Sequence, residues 1–549
     1  MMRLTTEQNN LRTRLGELQA EDDWLGVVAL EHEAQKLVRA LRDTNPGLAG
    51  KINSVLGNGF HATGDYSRAR ELHEKHRGIC EELGDRAGVA AACGNLGNCY
   101  YNTGDYARAR ELYEQHRGFC EEMGDRAGVA TACGHLGICY FSTGDYARAC
   151  EMHEQAREVS EALGDRAGLA RACANIGNCY FTTGDYARAC ELHEKDRAIC
   201  EELGDRAGVA GAYGNLGLCY FSKGEYARAR ELHEKHRAIA EVVGDRVGVA
   251  RACGNLGNCY LSTGDYARAY ELHEKRRAMA GELGDRAGMA MALGNLGNCS
   301  QFTGDHSRAR EMHELSKTIC EEMGDSHGVA GACGNIGKCY LNMGNYGQAI
   351  SYFTQQYNMA KEMHVVKDQA AAALGVGVAH RLKATANLQG HDASASELPR
   401  HSASASACSD EKMHEAEKWL KTALDLGRTA ARFHLAHTAF HDGQEDTALQ
   451  YLQAYLSACV ESARNQCAGC NQTRGEDAQM LTCAGCRVAR FCSVEHQKMA
   501  SKSVALGGNL LMGRHRDVCG VLGKWRQHVV KERASPEVLR AYLLAFLRT

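Results

Sequence analysis

An all-α solenoid of repeated helix pairs, followed by a small metal-stabilised module, is the fold class predicted, and three observations predict it. Gly-Asp-Tyr or a close variant begins at Gly64, Gly104, Gly144, Gly184, Gly224, Gly264, Gly304 and Gly344, always 40 residues apart. The 549 residues include only three prolines, where average usage would supply on the order of 27, and 60 glycines, the signature of long helices with regularly spaced ends. Each unit carries two apolar stripes at helical spacing: Val89, Cys93, Leu96 and Tyr100 in one stretch, and Ala69, Leu72, Ile79, Cys80 and Leu83 in the other. Neither helix can bury its stripe alone, so neighbouring units must stack. Collagen is excluded because no Gly-X-Y period exists, and 26 cysteines are too few for a small disulfide scaffold. A formal net charge of −4 points neither to a polyanion binder nor to an acidic solvating chain.

In chain order, residues 1–63 read as N-terminal helices and a degenerate repeat, with Trp24 to Leu41 as one helix and Leu48 to Phe60 as the next. Residues 64–384 are the 40-residue array, whose last part, Ala370 to Leu382, repeats the first helix of a unit loosely. The Ser-, Ala- and His-rich stretch 385–411, with Pro399, reads as a flexible linker. Residues 412–463 return to helix, since Ala416, Leu420 and Ala423 sit at i, i+4 and i+7 and suggest one or two weak units. Residues 464–520 hold a cysteine cluster, and in 521–549 Ser535-Pro536-Glu537 starts a final helix by cap and first-turn proline. The N-terminus lacks a signal-peptide h-region and no window approaches ~18 apolar residues, so a cytoplasmic location is expected, with the nucleus as the second choice. Reducing conditions there favour free thiols and metal thiolates over disulfides.

Leu96-Gly97, Tyr100, Gly104, Tyr106 and Ala109 fall where the tetratricopeptide repeat places its Leu-Gly, its aromatic, its Gly-x-Tyr turn and its small Ala. The chain therefore resembles tetratricopeptide-repeat proteins, and its 40-residue units with GDR and NLGN signatures are similar to the Partner-of-Inscuteable type. That resemblance implies a superhelical solenoid whose first helices line a concave groove. On those helices Ala91, Asn95, Asn98 and Asn102 lie about 200° from the buried stripe at ~100° per residue. The second position holds Asn95, His135, Asn175, Asn215, Asn255, Asn295 and Asn335 along the array. Asparagine is a mediocre helix former whose amide both donates and accepts, so this row is expected to bind the backbone of a partner peptide. Beside it Ala91, Thr131, Arg171, Gly211, Arg251, Met291 and Gly331 vary, as a selective reader needs.

Histidines recur as His73, His153, His193, His233, His273 and His313, and the equivalent places hold Tyr113 and Phe353, so an aromatic-sized packing role is expected rather than metal binding. The spacing of His-Glu-Lys-His at 73–76 is not that of a zinc protease. Eighteen cysteines between Cys80 and Cys339 recur at repeat-equivalent positions and read as buried packing residues.

The last six cysteines differ. Cys467, Cys470, Cys483, Cys486, Cys492, His496, His515 and Cys519 form two CxxC knuckles plus a further Cys/His set, a zinc signature with ligands enough for two closed, structural sites. Phe491-Cys492-Ser493 and Gln497 strengthen a resemblance to MYND-type fingers, whose interleaved pairing implies one zinc on Cys467, Cys470, Cys492 and His496 and the other on Cys483, Cys486, His515 and Cys519. This chain has His496 where Cys is usual, and residues 499–514 replace the short helix whose Trp precedes the last His. Twelve Lys/Arg against five Asp/Glu over 464–533 give a local +7, but no aromatic-basic interleaving accompanies it, so nucleic acid is not the expected partner.

The expected function is a non-enzymatic scaffold with no membrane partner: the groove grips a peptide of one protein, and the finger, holding two Zn2+ ions, a second protein. A RING-like ubiquitin-ligase adaptor is the alternative, opposed by Gln497 and the His-x3-Cys ending. A methyltransferase of the SET-MYND kind is weaker still, because no cofactor motif and no stretch for its catalytic domain are present.

Overall fold

The computed structural model describes residues 6–392, 402–426, 481–482 and 490–491, with 435, 447–448 and 450–451. Two compact units are distinguished, residues 1–222 with 231–244 and residues 223–230 with 245 onward. The first begins with α1 (Thr6–Ala20), α2 (Trp24–Ala29), α3 (Glu31–Leu41) and α4 (Pro46–Ala62). It continues through α5 (Tyr66–Leu83), α6 (Arg86–Asn102), α7 (Tyr106–Met123), α8 (Arg126–Ser142), α9 (Tyr146–Leu163), α10 (Arg166–Thr183), α11 (Tyr186–Leu203) and α12 (Arg206–Ser222). Helix α13 (Tyr226–Val243) is divided between the units. The second unit holds α14 (Arg246–Thr263), α15 (Tyr266–Leu283), α16 (Arg286–Phe302), α17 (His306–Met323), α18 (Ser326–Asn342), α19 (Tyr346–Glu362), α20 (Val366–Asp392) and α21 (Ser402–Asp425). Near its C-terminus β1 (Leu481–Thr482) and β2 (Arg490–Phe491) pair antiparallel, Leu481 opposite Phe491, a small addition to the all-α class.

Most helix boundaries within the array follow from two residues. At the end of α5, Gly84 adopts φ +66°, and Asp85 N–H donates to the Cys80 carbonyl at 2.8 Å, closing the orphan carbonyls. Asp85 then caps α6, its carboxylate accepting from Gly88 N–H at 3.0 Å. The Gly-Asp at 64–65 works the same way on α5, with Asp65 accepting from Arg68 N–H at 3.0 Å. Such short turns force successive helices to fold back on one another.

Within each unit consecutive helices pack as pairs around small residues. Leu96, Leu136, Ile176 and Leu216 in the first unit, and Leu256, Leu296 and Ile336 in the second, are fully buried. The stripe read on the first helices is buried at Val89, Cys93 and Leu96 and half-buried at Tyr100. On the second helices Ala69, Leu72 and Cys80 are buried, but Leu83 is 49 % exposed, because it occupies the final turn where the chain leaves for Gly84.

Two expectations need correction. The helix expected over 24–41 is broken at Leu30, whose N–H bonds to Val27 O in a cap that also starts α3. The linker expected over 385–411 is helical over 385–392 and 402–411, since α20 runs to Asp392 and α21 starts at Ser402; alanine-rich sequence favours helix. Of the weak units expected over 412–463, residues 412–425 are helical as the later part of α21, whose Leu420 packs on Gly377 of α20, and most of the remainder lies outside the described residues.

Candidate functional site

The repeating histidines are packing residues. A Cβ on Gly57 would stand 2.6 Å from the His73 ring, and Gly177 with His193, Gly257 with His273 and Gly297 with His313 make the same contact at 2.6–2.7 Å. Tyr113 lies on Gly97 and Phe353 on Gly337 in the same way. A glycine at this place lets an aromatic ring of the second helix lie flat on the first. His73, His153, His193, His233, His273 and His313 are each at most 2 % exposed, and their Nδ1 atoms have no hydrogen-bond partner. Burial pulls the pKa of all six down to about 4, so they are neutral at pH 7. Among the described residues no group of three or more His, Cys, Asp or Glu is placed to hold a metal ion.

The eighteen cysteines from Cys80 to Cys339 form no disulfide, and all are buried except the half-buried Cys150. Burial pushes Cys99 and Cys139 up to about 11, far from a reactive thiolate.

The asparagines are half-buried rather than fully solvated, Asn95, Asn175 and Asn215 in the first unit and Asn255, Asn295 and Asn335 in the second. Neighbouring first helices narrow the space around them. Asn295 Nδ2 donates to Asn258 Oδ1 at 3.1 Å, and Lys338 Nζ donates to Asn335 Oδ1 at 3.1 Å. Among the described residues Asn95, Asn175, Asn215 and Asn255 make no side-chain hydrogen bond. His135, which stands in the same row, is held neutral by burial at a pKa of about 4 and packs tilted at 35° against Tyr113, ring centroids 4.9 Å apart. Beside the row, Ala91, Thr131, Arg171, Arg251, Met291 and Gly331 are exposed.

Sequence reading missed the cavity at the N-terminal end of this face. It measures about 210 Å3 and is lined by Trp24 of α2, Asn58, His61 and Ala62 of α4, His73 of α5, and Asn95 and Asn98 of α6. Tyr113 Oη donates to Asn98 Oδ1 at 2.7 Å, and Asn102 Nδ2 bonds His61 Nε2 at 2.9 Å. Trp24 precedes the array, so the 40-residue period carried no trace of it. Equally unforeseen is a Tyr100 ring held between two guanidinium groups, Arg70 at 5.0 Å and Arg108 at 5.1 Å, a cation–π sandwich on the outer side chains of α5 and α7.

The eight zinc-ligand candidates, Cys467, Cys470, Cys483, Cys486, Cys492, His496, His515 and Cys519, lie outside the described residues, as does the final helix expected after Ser535. Antiparallel pairing of Leu481 with Phe491 and Thr482 with Arg490 puts the two chain exits, Thr482 and Phe491, on different rungs. Cys483 follows the first exit and Cys492 the second. Six thiols and two imidazoles are the donor set that tetrahedral zinc prefers.

Comparison with known proteins agrees with both halves of this description. The tetratricopeptide repeat family model matches residues 49–122, 128–202, 208–282 and 288–362, and the MYND finger model matches residues 459–519. The matched finger makes the chain a zinc-binding protein, and both modules are protein-interaction modules. No curated protein matches the chain. Among solved structures, BtubC (BKLC) from P. vanneervenii is 23% identical, over 43% of this chain and 92% of its own, with a TM-score of 0.36. The quorum sensor NprR from B. thuringiensis is 11% identical over 64% of this chain and 99% of its own (TM-score 0.46). Aspartyl phosphate phosphatase F from Bacillus subtilis is 13% identical over 65% and 96% (TM-score 0.46). With the repeat model matched over more than half of its length, the chain belongs to the tetratricopeptide repeat family.

Proposed function

We propose that the chain is a non-enzymatic adaptor that holds a peptide of one partner on the asparagine-bearing faces of its repeats and a second protein on its zinc finger. The observation that carries this reading is the recurrence of half-buried amides without side-chain partners at Asn95, Asn175, Asn215 and Asn255. An amide in that state is a hydrogen-bonding group left for a ligand, and it suits peptide backbone because it donates and accepts. Two zinc ions close the finger with no open coordination position, which is structural rather than catalytic use. The buried thiols of the array, with the pKa of Cys99 raised to about 11, are no nucleophiles, which supports the non-enzymatic reading. Eighteen cysteines outside any disulfide suit the reducing cytoplasm or nucleus, where we place the protein.

The test is affinity capture from cell extract with three baits: wild type, Asn95/Asn175/Asn215→Ala, and Asn255/Asn295/Asn335→Ala. Loss of the same partners with at least one triple variant, at unchanged helical circular dichroism, supports the reading. Identical recovery with all three baits rejects it.

A further inference from the structure

We infer that the cavity between α2, α4, α5 and α6 is an anchor pocket for a side-chain carboxamide, an Asn or Gln of the bound peptide, an inference that rests on the peptide-binding reading above. At about 210 Å3 the space is far larger than the ~10–15 Å3 that one bridging water needs. Its walls mix polar and apolar groups and carry no charge: no Lys, Arg, Asp or Glu lines it, and three asparagines, two histidines, one tryptophan and Ala62 do.

The wall groups are already oriented. Because Asn98 Oδ1 accepts from Tyr113, the free end of that amide is its Nδ2, a donor. Because the Asn102 amide N–H donates to His61 Nε2, the His61 proton resides on Nδ1. His73, 1 % exposed, has an unpartnered Nδ1, and Asn58 and Asn95 make no side-chain hydrogen bond among the described residues. Burial lowers the pKa of both histidines, so neither supplies a positive charge near neutral pH.

A carboxamide matches this set, having one oxygen for the Asn98 donor and two N–H groups for the amide oxygens of Asn58 and Asn95. Its planar group also suits the flat face of the Trp24 indole. A carboxylate would enter without a counter-charge, and an aliphatic side chain would leave the wall amides unsatisfied.

The experiment is selection of a random dodecapeptide phage library on the full-length zinc-loaded protein, followed by fluorescence-polarisation affinities for the enriched peptides. The expected result is an Asn or Gln shared at one position. Changing it to Glu or Leu should weaken binding at least tenfold to wild type and no more than twofold to Trp24→Ala or Asn58→Leu. Enriched peptides that lack such a residue, tolerate Glu there, or keep the same Asn/Gln dependence on both variants overturn the pocket and leave the peptide-binding reading standing. Failure to enrich any peptide overturns both. Should Trp24→Ala lose its N-terminal helices, Asn58→Leu, which keeps the indole, decides the outcome.

Discussion

A glycine facing a ring is the smallest part from which this chain is built, and it sets the cost of single changes. Adding a methyl at Gly177 places carbon 2.7 Å from the His193 ring, and overpacking of this kind costs about 1–3 kcal/mol. Gly177→Ala is expected to lower the urea midpoint, and a double-mutant cycle with His193→Ala to show coupling, because the smaller partner relieves the clash. The histidines also make stability depend on pH. Their folded pKa, about 4, lies below the ordinary 6.5, so the unfolded chain binds protons through that window and the folded chain refuses them. Stability is therefore complete above about pH 6.5 and falls as the pH drops toward 4. His193→Phe, with Phe353 as its precedent on Gly337, is expected to be close to neutral at pH 7 and to gain up to about 2 kcal/mol over wild type at pH 5. An unchanged difference between the two pH values in urea titrations refutes this. The ring role was legible in the sequence, because Tyr113 and Phe353 stand in for histidine at the same repeat position. The cavity was not, because its tryptophan comes from outside the period and its geometry depends on amide orientation.

At the scale of helices, the paired Gly-Asp turns decide where each element starts. Asp245 accepts from Gly248 N–H at 2.8 Å at the start of α14, and replacing such a cap with Ala costs about 1 kcal/mol. Asp245→Ala is expected to speed amide hydrogen exchange in the first turn of α14 and leave the middle of α18 (Ser326–Asn342) unchanged. Uniform acceleration across both would mean that the cap supports more than its own helix. These boundaries were readable because the turn residues recur at fixed offsets. The last helix pair was harder to read. In each earlier pair the ring follows its glycine by 16 residues, as His73 follows Gly57, whereas Leu420 follows Gly377 by 43. The Ser- and Ala-rich insertion hid a partner that satisfies the same packing with a branched aliphatic in place of a ring, and its alanines extended helices where a linker was expected.

Across the whole molecule, helical repeats and finger rely on different sources of stability, apolar burial in one and metal ligation in the other. Cys483→Ser is expected to release zinc, on which a small finger depends for about 10–16 kcal/mol of apparent folding energy, while the far-ultraviolet helical signal of the array persists. Atomic emission that still finds two zinc ions per chain would show the ligand assignment to be wrong. Repeat architecture and the presence of a MYND finger were legible because each rests on regular spacing; the identity of a bound peptide was not, because near-identical units share residues whether or not a ligand selects them. The Gly-Asp turn, with Glu225 and Asn345 in place of Asp at two positions, and the glycine-borne ring recur from unit to unit, and this has a genetic consequence. Removing residues 105–144, for example, joins Gly104 directly to Asp145, a turn already used at Gly64-Asp65, and brings no unfamiliar pair of surfaces together. Unequal crossing-over between copies of the coding sequence can thus shorten or lengthen the array by whole turns of the pattern, and selection then acts on reach rather than on repair of a broken joint.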